Sequence, residues 1–309
     1  MRYAFINTVT KEAKKNKNIY ILSADLGYTV FENFKALFPN RFINVGVAEQ
    51  NLINLATGLA LSGKTVFVYS IATFATTKAY EQIKINISNH NLPVIIVGSG
   101  AGLSYSEASI THHSLEDISI MRSIPNMSII APSDPLQTEW ATKFAISYNK
   151  PLYLRLGKAG EPKIYKTTNN FIFGEPISLK DGKDLLIIAT GNIVYNALEA
   201  AKLLAQKGIN CLVLDMHTIK PYKKEKIYAY LKNFSHIFTI EEHSIIGGLG
   251  STISEVITSY GMGLKLISIG VNDEFVRIIG KHAYLREQLG LSPQKLSERI
   301  LKEYKAKAK

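Results

Sequence analysis

Apolar residues fall in short, unbroken runs along the 309-residue chain, separated by stretches whose apolar positions recur at helical spacing. The runs at 19–23, 65–70, 93–98, 127–131 and 152–156 are continuous rather than alternating. Strands covered by helices on both faces of a parallel sheet have that pattern. Another strand is expected at 41–45, leading straight into a small-residue helix that starts at Glu49 and stops at Gly63. Helices are expected over 73–89 and 134–148, where Asp134 suits the cap and Pro135 the first helical position. The rhythm fails in "GKAGEPKIYKTTNNFIFGEP" and then restarts. Strands follow at 184–190, 209–215, 236–241 and 264–270, with helices at 194–207, 224–234 and 248–260 and further helices to the end. This alternation predicts two consecutive α/β domains with mostly parallel sheets, at 1–160 and 177–309, joined by a linker over 161–176.

Composition narrows the class. Hydrophobic residues make up 46% and charged residues 20%, as in a packed globular protein. No apolar run approaches the roughly 20 residues of a membrane span, and the first residues lack the apolar core of a signal peptide. The single cysteine, Cys211, lies inside a strand-like run, so a buried thiol and a cytoplasmic location are expected. The net charge of +11 comes from lysines scattered over helix faces and the tail "KEYKAKAK". No basic patch interleaved with aromatics accompanies it, which argues against nucleic acid and leaves attraction of anionic substrates.

Several chemistries are missing: there is no Walker-type phosphate loop, dinucleotide fingerprint or nucleophile elbow. His112 and His113 are adjacent, so their rings diverge and make a poor metal site. In an open α/β sheet, ligands sit outside the carboxyl ends of the strands. The loops after the second, third and fourth strands therefore bring Glu49, Phe74 and His112 to one edge. Phe74 and Tyr80 are six apart, so on a regular helix they do not both face one small ligand. Glu49 has two readings, an acid favoured by the helix dipole or an acid that meets a ligand. In "EEHSIIGGLGS" (241–251) the glycines suit either an anion at the helix start or a tight turn.

The stretches "SADLG", "PNRFINVGVAEQN", "ATGLALSGKTVFVYSIATFATTKAYEQI", "THHSLEDISIMRSIPNMSIIAPSD", "PLYLRLGK", "IIATGNIVYNALEAAKLLAQKGINCLVLDMHTIKP" and "EEHSIIGGLGS" follow one another over nearly the whole chain. In that order they resemble the C-terminal half of transketolase, a thiamine-diphosphate enzyme. The resemblance implies a pyrimidine-binding domain followed by the transketolase C-terminal domain. It implies that Glu49 hydrogen-bonds the cofactor's aminopyrimidine and so promotes loss of the thiazolium C2 proton, and that Phe74 stacks on the pyrimidine. It places Tyr80 and Asp25 in the cofactor pocket, His112 as a catalytic and substrate-channel histidine, and Lys158 and Arg2 at the substrate phosphate. Thr77 stands where the family has another aromatic.

The family holds the diphosphate through Mg²⁺ (or Ca²⁺) with a G-D-G motif, and this chain has none; "KDGKD" at 180–184 reads as a turn. No residue of this chain is therefore assigned to a metal. The resemblance implies a separate N-terminal subunit that carries G-D-G and shares the cofactor, around a homodimer core within a heterotetramer. A split gene is expected because the chain starts directly on the pyrimidine-binding domain. At the substrate end Ala108 replaces the Asp that reads the sugar, Ser109 and Ile110 replace Gly and Pro, and Gly100 stands where a histidine is usual. These changes put the sugar in doubt more than the reaction and point to specialised sugar chemistry. Three alternatives stay open: a deoxyxylulose-phosphate-synthase-like subunit, a 2-oxoacid dehydrogenase beta-type subunit, and a non-catalytic regulatory subunit.

Overall fold

The strands in chain order are β1 (Ile19–Ser23), β2 (Phe42–Asn44), β3 (Thr65–Ile71), β4 (Val94–Ser99), β5 (Ser128–Ile130), β6 (Leu152–Leu156), β7 (Ile177–Lys180), β8 (Leu185–Ala189), β9 (Cys211–Asp215), β10 (Thr218–Lys220), β11 (Ile237–Ser244) and β12 (Leu266–Val271). They come from a computed structural model that describes residues 1–167 and 171–306. Residues 168–170 of the expected linker and 307–309 of the lysine-rich tail lie outside the described residues. Among the described residues, one sheet has the order β10-β5-β6-β4-β3-β1-β2 and the other β12-β11-β8-β9-β7. All neighbours are parallel except β10 on β5 and β7 on β9.

Successive side chains of β3 and β4 go to opposite faces, as the pleat requires. Val66, Val68, Val94 and Ile96 pack with Leu52, Ile53 and Ala56 of the helix Glu49–Leu61. Phe67, Tyr69, Ile95 and Val97 pack with Phe5 and Val9 of the helix Arg2–Ala13 and with Ala141 and Ala145. Both faces are covered, which is why these strands read as continuous apolar runs. Asp134 caps its helix as expected, accepting from the Gln137 amide at 2.8 Å, with Pro135 at the first position. Cys211 is buried and unbridged, and burial pushes its thiol up to about 12. Among the described residues no helix is long and apolar enough to cross a membrane.

One expectation needs correction. The segment 73–89 is not one regular helix: it is π-helical over Phe74–Lys78, makes a short α turn at Tyr80–Gln82, and is π-helical again over Ile83–Ser88. The hydroxyls of Thr76 and Thr77 bond back to the carbonyls of Ala72 and Thr73, competing for the acceptors of the ordinary ladder. The π turn holds one more residue than an α turn, and Lys78, one turn after Phe74, places its ammonium over that ring. The two halves also share one sheet. Strand β10 belongs to the second half, yet it pairs antiparallel with β5 in the first sheet.

The loop at 102–116 is locked at this junction. Gly102 and Ser114 exchange backbone hydrogen bonds across its neck. Arg155, buried on β6, pairs with Asp117 at 2.7 Å and donates to the carbonyls of Ser114 and Glu242. The Glu242 carboxylate accepts from the Leu103 amide, His282 and Arg286. Burial raises the Glu242 carboxyl, but Arg286 and His282 outweigh it and hold the group well below the usual carboxylate range.

Candidate active site

Glu49 is the first residue of its helix, after Ala48 at the cap. Its side chain is 4% exposed and its oxygens face other elements. Ser70 on β3 donates to Oε1 at 3.3 Å, and Lys78 Nζ lies 3.5 Å from Oε2. The carboxylate is therefore aimed across the sheet edge, which the helix-dipole reading does not account for. Its surroundings are also more polar than the neighbouring sequence suggests, because Lys78 reaches it from the segment after β3.

From Glu49 a row of side chains crosses the carboxyl ends of the strands. Lys78 Nζ sits 4.3 Å from the centre of the Phe74 ring, and the Phe74 and His112 rings are 5.1 Å apart at 64°. The His112 and Tyr105 rings are 5.9 Å apart, and Lys158 Nζ lies 4.5 Å over the Tyr105 ring. Arg2 Nε donates to the Lys158 carbonyl. Burial, then the Lys158 and Lys78 ammonium groups, push the His112 pKa down, so its imidazole is neutral at pH 7. Thr111 Oγ1 and His112 Nδ1 are 2.8 Å apart.

Five of the expected residues thus fall in one row: Glu49, Phe74, His112, Lys158 and Arg2. Asp25 stands on the same edge, after β1, with a left-handed backbone (φ 56) and with its carboxylate accepting from Asn44 at 2.9 Å. Tyr80 packs against the first core, with its hydroxyl 2.9 Å from Ser123 Oγ. Two members of the row were not anticipated, Lys78 and Tyr105. Lys78 reads as one more surface lysine, and the signal that could have found it is its spacing of four from Phe74, at which helical side chains meet. The one signal for Tyr105 is Gly100, a glycine at the end of a strand.

The glycines of 241–251 also resolve. The helix Leu249–Ser259 begins there, and its amides at Leu249 and Gly250 donate to Glu241, at 2.6 and 2.9 Å. The chain's own carboxylate fills this anion position, and burial pushes the Glu241 pKa up to about 7. Gly248 and Gly250 are needed for clearance: a Cβ on Gly248 would meet Glu241 Oε2 at 1.9 Å. Among the described residues no group of three or more His, Cys, Asp or Glu is placed to hold a metal ion.

Residues 1–161 match the family described as "Transketolase, pyrimidine binding domain" and residues 174–296 the one described as "Transketolase, C-terminal domain". An apulose-4-phosphate transketolase subunit of Phocaeicola vulgatus is 37% identical over 277 residues, covering 89% of this chain and 88% of the relative. A 6-deoxy-6-sulfo-D-fructose transketolase subunit of Clostridium sp. is 35% identical, covering 96% and 92%. A solved structure described as "Split gene transketolase, inactive beta4 tetramer" superposes with a TM-score of 0.89 at 36% identity, covering 97% of each chain.

Proposed function

This chain belongs to the transketolase family, and from that premise we propose that it is the pyrimidine-side half of a two-polypeptide enzyme that moves a two-carbon ketol unit from a ketose to an aldehyde acceptor. One observation carries the reading: a buried acid, Glu49, an aromatic ring, Phe74, and an imidazole, His112, follow one another across the carboxyl ends of the strands, with Lys78 between the acid and the ring. An acid beside an aromatic face fits a flat, hydrogen-bonding heterocycle such as the pyrimidine of thiamine diphosphate. That cofactor, when bound, supplies the carbanion chemistry of the transfer. Glu49 would hold a hydrogen bond to a pyrimidine nitrogen and exchange a proton there. Phe74 would pack on the ring. His112, neutral at pH 7, would contact the sugar and take or return a hydroxyl proton. Lys158 and Arg2 would face the anionic end of the sugar; Asp25 and Tyr80 would line the edges of the cofactor pocket.

The diphosphate and its Mg²⁺ (or Ca²⁺) are assigned to a partner subunit with a G-D-G motif, in a cytoplasmic heterotetramer around a homodimer of this chain. Two relatives described as transketolase subunits support the division of labour, and the beta4 assembly of a third is described as inactive. The substrates named for those two relatives carry a phosphate or a sulfonate. An anionic sugar is accordingly proposed here too.

The test is calorimetric titration of thiamine diphosphate and Mg²⁺ into the chain alone and into the chain mixed with its partner. Saturable binding and ketol transfer are expected only for the mixture. Tight binding by the chain alone would overturn the split-site reading.

A further inference from the structure

Gly100 follows the carboxyl end of β4, on the sheet edge that carries the row, and has a φ of +78°. A Cβ built on it would meet Tyr105 Cε2 at 2.0 Å and Cδ2 at 2.2 Å. The Tyr105 ring therefore fills the space that any side chain at 100 would take. Only a residue without a Cβ tolerates both that conformation and that contact.

The loop that carries the ring is anchored at its base. Leu103 is fully buried and donates to Glu242, while Ser104 bonds the Ala101 carbonyl and receives a bond from Asn192 of the second domain. Past this anchor Tyr105 projects back over Gly100, with His112 on one side and Lys158 above its face. Among the described residues Lys158 has no acidic partner: its carbonyl is bound by Arg2, but its ammonium rests on the aromatic ring alone. An ammonium over a ring face gains electrostatic stabilisation without being neutralised. It stays available to an anion, which a salt bridge would prevent.

We propose that Tyr105 is a specificity-determining residue of this enzyme: its ring, seated on Gly100, is the platform that places the Lys158 ammonium for the anionic end of the sugar. This rests on the proposed function for the identity of the substrate, while the placement of the ammonium does not. Arg2 holds the Lys158 backbone through its carbonyl. The loop that carries His112 thereby also sets where the far end of the substrate is held. Lys at this position supplies a point charge without a bidentate fork, so its direction depends on what supports its stem.

The experiment uses the complex of this chain with its partner subunit and two readouts. The first is the affinity for inorganic phosphate by calorimetric titration. The second is the KM for a phosphorylated aldose acceptor against its unphosphorylated counterpart. Tyr105→Ala is expected to weaken phosphate binding and to raise the KM for the phosphorylated acceptor about tenfold, with kcat changed far less. The unphosphorylated acceptor should be indifferent to it. Tyr105→Phe should restore wild-type values, because the ring face and not the hydroxyl supports the ammonium. Gly100→Ala should reproduce Tyr105→Ala by displacing the ring, and the double variant should be no worse than either single one. If Gly100→Ala is too strained to fold, the two Tyr105 variants decide.

Phosphate affinity unchanged in Tyr105→Ala, or equal loss for both acceptors, would overturn the inference. A complex that transfers no ketol unit to any sugar while losing phosphate with Tyr105→Ala would overturn the functional reading and leave the platform standing.

Discussion

Glu49 and Lys78 form a pair of unequal partners, one 4% and the other 48% exposed. With so exposed a lysine, the pair contributes under about 1 kcal/mol to stability. Its importance lies in where it points the carboxylate. Glu49→Gln keeps the shape and removes the carboxyl that gives and takes a proton. In the complex with its partner it is expected to retain cofactor binding while slowing deuterium exchange at the thiazolium C2 by roughly a hundredfold or more. Exchange followed by NMR on the bound cofactor separates this from any later step, and a near-normal rate would refute the acid's role. His112 shows the same dependence on neighbours: its lowered pKa comes from burial and from two ammonium groups that are distant in sequence.

At the level of elements, the π-helical turn over Phe74–Lys78 and the short strand β10 are the two that shape the site and the junction. β10 is introduced by His217, buried against Trp140 and Phe171, whose pKa burial lowers to about 4. The unfolded chain then binds a proton at His217 that the folded chain does not, between roughly pH 6.5 and 4. The contribution is therefore present above pH 6.5 and is lost as pH falls through that window. His217→Asn removes the titration. Relative to this variant, the wild type is expected to lose about 2 kcal/mol between pH 7 and pH 5, read from urea unfolding at the two values. Equal pH dependence would show that β10 does not hold the ring buried. Asp215 and Glu241, which burial raises to about 6 and about 7, act in the opposite direction, so the comparison needs the variant and not the wild type alone.

For the whole molecule, the buried Asp117–Arg155 pair is the joint. Burial raises the Asp117 carboxyl, but Arg155 overrides it and keeps the group below its ordinary range. Tyr153 donates to the same carboxylate at 2.6 Å, and Arg155 reaches both the 102–116 loop and β11 of the second domain. Asp117→Asn leaves a guanidinium buried without its counter-charge, at a cost of about 3–5 kcal/mol. Denaturant unfolding should show that loss. The double variant with Arg155→Met should lose less than the sum of the single ones, since the stranded charge is gone. A loss below about 1 kcal/mol would mean that the joint tolerates solvent. Failure of this joint should also release the loop that carries His112 and Tyr105.

The chain's own pattern determined the alternation of strands and helices, the covered faces of β3, β4 and β6, the Asp134 cap and the buried thiol. Each of these depends on a residue's own character or on neighbours a few positions away. The same pattern brought Glu49, Phe74 and His112 to one sheet edge, since carboxyl ends of parallel strands share a side. It did not reach the contact of Lys78 with Glu49, which joins residues 29 apart and is made only once the segment after β3 is folded against the helix of Glu49. It did not pair β10 with β5, whose three residues carry too little periodicity to announce a partner ninety positions away. The contact of Tyr105 with Gly100 came closest to being legible, as a glycine at a strand end. Which ring fills that space is decided by the anchor of the loop on Glu242, a contact 139 residues apart that only the folded chain makes.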